Sequence, residues 1–196
     1  MERPTELIAV CVASHERLLA SAARLNDDDL RAPSHLPDWT RAHVLAHLAR
    51  NADSHTWLFE GASVGESRRQ YPEEGMRERD IEAGSTLERD VLLEDVARSC
   101  RDLEAAWNGL NDESWDFRAF VGVGSRTMSD ILFRRLREVE VHHVDLDASY
   151  DASDWPEAYV EEELRRTLHR LPSRANHAAL VEWMIGRRDA PTLERW

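Results

Sequence analysis

The sequence has no lysine; all 25 of its basic side chains are arginine, set against 38 carboxylates. A net charge of −13 argues against nucleic acid as a partner, because phosphate binding needs a basic surface. It equally disfavours an anionic membrane surface. The missing lysine fits a GC-rich coding bias and carries no chemistry. Cysteine is nearly absent too: Cys11 and Cys100 fall on predicted apolar helix faces, which implies free buried thiols and no disulfide framework. No apolar run is long enough to cross a membrane. The first residues, Met1-Glu2-Arg3-Pro4-Thr5-Glu6, have neither the basic start nor the apolar stretch of a signal peptide, so the expected location is the cytoplasm. There is no glycine-rich phosphate loop, since Gly122-Val123-Gly124 lacks a third glycine and a strand-turn-helix setting. No serine sits in a nucleophile elbow. The seven tryptophans read as core or cap residues, a few of them available to line a pocket.

What is present is helical periodicity over 196 residues with 42% apolar content, enough for one core or a domain with a small appendage. A first helix is predicted from Thr5 to Leu25, with Ile8, Cys11, Val12, Leu18, Leu19, Ala22 and Leu25 on one stripe and His15 among them. Asn26-Asp27-Asp28-Asp29 ends it, and Pro33 and Pro37 mark an extended connection. Thr40 is the predicted N-cap of a second helix reaching Gly61. Three of the six inward positions of that helix are polar: His47, Asn51 and His55. Ser67 to Gly84 reads as a polar connection, and Ser85-Thr86-Leu87-Glu88 as a capping box for a third helix carrying Leu92, Val96, Cys100, Leu103, Trp107 and Leu110. A short hairpin fits Phe117 to Thr127. A fourth long helix starts near Ser129 and runs to Ala148. Shorter helices follow at Pro156–Leu171 and Asn176–Gly186, and the last ten residues read as irregular. The expected fold is all-α: a four-helix bundle over residues 1–150, with a hairpin excursion before helix 4, and a short helical extension over 151–196 packed on it.

The fourth helix holds Arg137-Glu138-Val139-Glu140-Val141-His142-His143-Val144-Asp145-Leu146. Buried imidazole and carboxylate groups need partners, and a divalent metal supplies one. Glu138 and His142 are four apart and share a face, with Asp145 one turn further to orient His142. A third ligand must come from another helix, where His47 is the inward candidate. Spacing does not single out this set. Glu140 and His143 are also a possible pair, His43 and His47 another, and the stripe Leu132, Leu136, Val139, His143, Leu146 makes His143 the core-facing histidine. His15 and His55 read as core histidines bonded to neighbours, and His43 as a first-turn surface residue.

Leu36-Pro37-Asp38-Trp39-Thr40-Arg41-Ala42-His43-Val44-Leu45-Ala46-His47-Leu48-Ala49-Arg50-Asn51 resembles the first signature of the mycothiol-dependent maleylpyruvate isomerases, within the DinB/YfiT-like superfamily. The Arg137–Leu146 segment is similar to their second signature, and the resemblance covers about residues 5–150. It implies a DinB-like four-helix bundle carrying a divalent metal, usually zinc (nickel, iron and cobalt accept the same donors), on His47, Glu138 and His142. It implies mycothiol as thiol cofactor and a small-molecule substrate. Arg77 resembles an arginine that helps hold the thiol. The C-terminal part departs from the family pattern. The isomerases continue into a longer α/β domain that contributes a further basic residue; here its strands are missing, and Arg187 stands as the counterpart of that residue. The implied activity is isomerisation or S-transfer by a metal-activated thiol. The competing readings are a metal-bound water acting in a hydrolysis or ring closure, and a non-enzymatic bundle binding a small molecule or a partner. Related bundles occur as monomers and homodimers.

Overall fold

A computed structural model describes residues 2–193. Four helices form the bundle: α1 (Thr5–Ala22), α3 (Arg41–Ser63), α5 (Arg89–Asn108) and α6 (Met128–Asp145). Between them lie α2 (Asp27–Arg31) and α4 (Met76–Ser85). α3 is the central element, touching α4, α5 and α6, while α1 packs on α6 and α5. An antiparallel hairpin, β1 (Arg118–Val121) and β2 (Gly124–Thr127), pairs Val121 with Gly124 and leads directly into α6. Leu18, Val44, Leu45, Leu48, Val96, Cys100 and Val139 meet in the core with almost no exposure, and both cysteines are free and buried, as expected. No described helix is long and apolar enough to cross a membrane.

The start of α3 obeys its sequence signal. Thr40 caps the His43 N–H, and His43 returns the bond through Nδ1, 3.3 Å from the Thr40 N–H. Histidine here takes the place of the acid or amide of a capping box. Other boundaries depart from expectation. α1 stops at Ala22, because Asn26 and Asp29 form a reciprocal cap that starts α2. Three aspartates in the first turn of α2 favour that start through the helix dipole. The polar connection to Gly84 contains α4, which buries only Ile81 and Gly84 and so lacks a visible apolar stripe. Ser85 ends α4 and does not cap α5, whose N-cap position is Glu88 without a side-chain bond. Gly84 stands against α3: a Cβ there would lie 2.9 Å from Ala46 Cβ, so only glycine allows this approach.

The first compact unit runs to Trp155. Its last residues are tied to α6, since the Tyr150 hydroxyl donates to buried Glu140 and Trp155 Nε1 donates to the Glu140 carbonyl at 3.2 Å. The second unit, from Pro156 on, holds α7 (Glu157–Thr167), a 3₁₀ turn over Leu168–Ser173 and α8 (His177–Met184). The helix expected to reach Leu171 stops at Thr167 and tightens into the 3₁₀ turn, which holds Pro172, a residue with no N–H. Asn176 caps α8. No strand occurs in this unit among the described residues. Residues 187–193 are irregular, as expected, and 194–196 lie outside the described residues.

Candidate metal centre

α3 and α6 pack side by side, and their contact brings together His47, Glu138 and His142. His47 Nε2 lies 3.0 Å from Glu138 Oε2, and His142 Nε2 lies 3.4 Å from the same oxygen. The two imidazoles meet edge to face with centroids 4.6 Å apart. One ligand atom from each of the three residues fits within 4.8 Å of the others, so the set could hold a metal ion. His47 is 4% exposed, whereas Glu138 and His142 are partly open, which leaves an approach for a further ligand.

Asp145, one turn beyond His142, accepts from its Nδ1 at 2.8 Å. That bond fixes the ring's orientation and leaves Nε2 directed at the centre. Burial works against charge on Glu138, but hydrogen bonds from His142 and His47 outweigh it and hold the carboxylate well below its usual range. Burial opposes charge on His142 too, yet Asp145 and Glu138 raise it to about 9. Burial dominates at His47 and lowers its pKa. The centre therefore offers an ionised carboxylate oxygen between two imidazole nitrogens, one of them anchored from behind. Two nitrogens and one oxygen converging in this way suit zinc and its neighbours.

Arg77 comes from α4 and reaches the triad, its Nη2 3.4 Å from His47 Nδ1. Trp39 flanks both residues, 5.6 Å from the His47 ring centroid and 5.9 Å from the Arg77 guanidinium carbon. Tyr71 was not singled out by the sequence. Burial raises its pKa, and the neighbouring Ser54 and Arg77 partly offset that rise. The only available signal was an aromatic residue in an otherwise polar stretch.

The other candidates lie elsewhere. His143 is buried and stacks on Tyr150 at 3.7 Å, and burial lowers its pKa to about 4. Glu140 is fully buried and pairs with Arg17 at 3.0 Å. His43 serves the α3 cap and approaches Glu82 at 3.3 Å. His15 is a bonded core histidine, as expected, with Nδ1 2.7 Å from Glu104 and Nε2 3.0 Å from Arg135 Nε. His55 is equally buried, with Nδ1 unpartnered among the described residues. Arg187 lies exposed in the second unit, just after α8.

A family model described as the mycothiol maleylpyruvate isomerase N-terminal domain matches residues 11–147. Among solved structures, a mutant of the mycothiol-dependent maleylpyruvate isomerase is similar at 28% identity with a TM-score of 0.76. That alignment covers 80% of this chain, which spans only 66% of the isomerase chain. A second structure of a mycothiol-dependent maleylpyruvate isomerase gives a TM-score of 0.83 at 23% identity, covering 98% of this chain and 96% of the other. YfiT from Bacillus subtilis, with an unusual four-helix bundle topology, shares the fold at 17% identity with a TM-score of 0.59 over 83% and 86% of the two chains. No match is found among curated proteins.

Proposed function

Because the chain belongs to the family defined by the mycothiol maleylpyruvate isomerase N-terminal domain, we propose that it is a metal-dependent, thiol-using enzyme that isomerises, or transfers a thiol to, a small electrophile. The observation that carries this reading is the convergence of two imidazole nitrogens on one ionised carboxylate oxygen. The chemistry that a divalent metal would supply there is a lowered thiol pKa, and hence a thiolate nucleophile for addition to an electrophilic double bond. Loss of the thiol after bond rotation is a cis–trans isomerisation, and its retention is an S-transfer.

The chain's own residues take distinct parts. His47, Glu138 and His142 would hold the metal, zinc being the first expectation. Asp145 keeps His142 Nδ1 protonated and Nε2 free to ligate. Arg77 presents a guanidinium beside the centre and binds an anionic group of substrate or thiol. Trp39 shields His47 and Arg77 from water on one side. Arg187 is assigned to cofactor binding on family resemblance alone.

The test is metal content. Purified protein should carry about one metal per chain, and His47→Ala should abolish it. Mycothiol should raise the melting temperature of metal-loaded protein and leave the chelated form unchanged. A protein that purifies metal-free, with a melting temperature indifferent to metal and chelator, overturns the reading.

A further inference from the structure

The side of α6 turned away from the triad is anchored by three other residues. At about 100° per residue, Glu140 projects about 180° from the direction midway between Glu138 and His142. Glu140 is fully buried. Arg17 of α1 donates to one of its carboxylate oxygens at 3.0 Å, the Tyr150 hydroxyl donates to the other, and Trp155 Nε1 donates to its backbone carbonyl. His143, on the same side, is 1% exposed, and its Nε2 has no hydrogen-bond partner among the described residues. Leaving a buried ring nitrogen unanswered costs stability. What the ring gains instead is Tyr150, which stacks on it at 3.7 Å with the planes 4° apart. One side chain thus grips α6 twice, through its face on His143 and through its hydroxyl on Glu140.

The chain folds back sharply to deliver this grip. Asp147 and Ser149 take positive φ, 52° and 62°, which residues with side chains seldom adopt. Arg41 of α3 holds the turn, donating to the Leu146 carbonyl at 2.8 Å and to the Asp147 carboxylate at 2.9 Å. Such a turn is locally unfavourable and persists because the contacts around it over-determine it. Resting on the metal-centre reading above, we propose that Tyr150 is a positioning residue for the triad: it locks the rotation of α6 about its own axis and so aims Glu138 and His142 at His47. Small rotations matter here. Side-chain atoms at the rim of a helix lie about 5–6 Å from its axis, so a turn of about 10° carries them about 1 Å. Metal–ligand distances hold within about 0.2 Å. A grip on the opposite side of the helix, level with the ligands, removes that freedom without occupying the centre.

Cobalt-loaded full-length protein tests this, because the visible bands of Co²⁺ report its coordination geometry and chelator competition reports its affinity. Tyr150→Ala should weaken cobalt about tenfold per folded chain and alter the visible bands. Tyr150→Phe, which keeps the stack and loses the donor, should fall between that variant and wild type, and it carries the test alone if Tyr150→Ala does not fold. Leu103→Ala, a truncation of the buried core on α5, should lower the melting temperature and leave both cobalt readouts unchanged. Tyr150 variants that bind cobalt as wild type does, or a Leu103→Ala that weakens it equally, overturn the positioning role while the metal-centre reading stands. A wild type that binds no metal overturns both.

Discussion

Arg135 and Glu138 lie three residues apart on α6, and the bundle serves them in opposite ways. Arg135 is fully buried and spends its donors inside the protein: on His15 Nε2 at 3.0 Å, the Leu48 carbonyl at 2.9 Å, Asn51 Oδ1 at 2.9 Å and Cys100 Sγ at 3.5 Å. His15 passes the chain on, its Nδ1–H donating to Glu104. The network is closed, with each member answered by another residue. At Glu138, two imidazoles crowd onto a single oxygen and the group stays partly open to the outside. Both clusters bury polar atoms among helices, so burial alone does not separate a structural network from a site. Convergence does. A closed network distributes its partners, and a site aims several groups at one point.

The sharpest way to break this contrast is Arg135→Met. It strips Asn51, His15 and the Leu48 carbonyl of their donor and should destabilise the fold by about 3–5 kcal/mol in denaturant unfolding. Metal per folded chain should not change. A fold indifferent to this substitution would mean that the network is not what it looks like. Next in size is Asp145→Ala, which removes the acceptor behind His142. Metal affinity, read by chelator competition, should fall about 10–100-fold with the bundle intact. A third effect concerns pH. Burial lowers the pKa of His15 to about 4, so the folded chain refuses a proton that the unfolded chain accepts from about pH 6.5 downward. This contribution is present above pH 6.5 and is lost as the pH falls toward 4, at up to about 1.4 kcal/mol per pH unit. His55 and His143, lowered to about 3 and about 4, act in the same direction. His15→Gln, which keeps an acceptor for Arg135 and a donor for Glu104, should make the acid slope shallower by one proton.

The comparison also explains what the sequence disclosed. The helices of the bundle announced themselves through apolar stripes, and Thr40 through its cap chemistry. The triad was legible only in part. Spacing offered Glu140 with His143 as readily as Glu138 with His142, because both pairs sit on one helix within a turn. Resemblance at two separated motifs chose between them, and the structure brings the chosen three together. Arg135 gave no warning, since an arginine in a helix reads as surface until its partners on three other helices are known. α4 was missed because one aliphatic residue and one glycine make no periodic pattern. Tyr71 depends on a loop folding back over α3, and local sequence does not record that.

Gly84 has a consequence for how this protein can change. It sits two turns after Arg77 on α4, and it faces Ala46, the residue before His47. The clearance between these two small residues therefore sets the height of the arginine above the triad. While that contact is kept, the outward residues of α4 and the segment before it are free to drift, and with them the shape of whatever the centre accepts. Selection, or a designer, could alter the surroundings of the triad by exchanging residues 66–75 alone, using the glycine as the gauge that returns Arg77 to the same distance from His47.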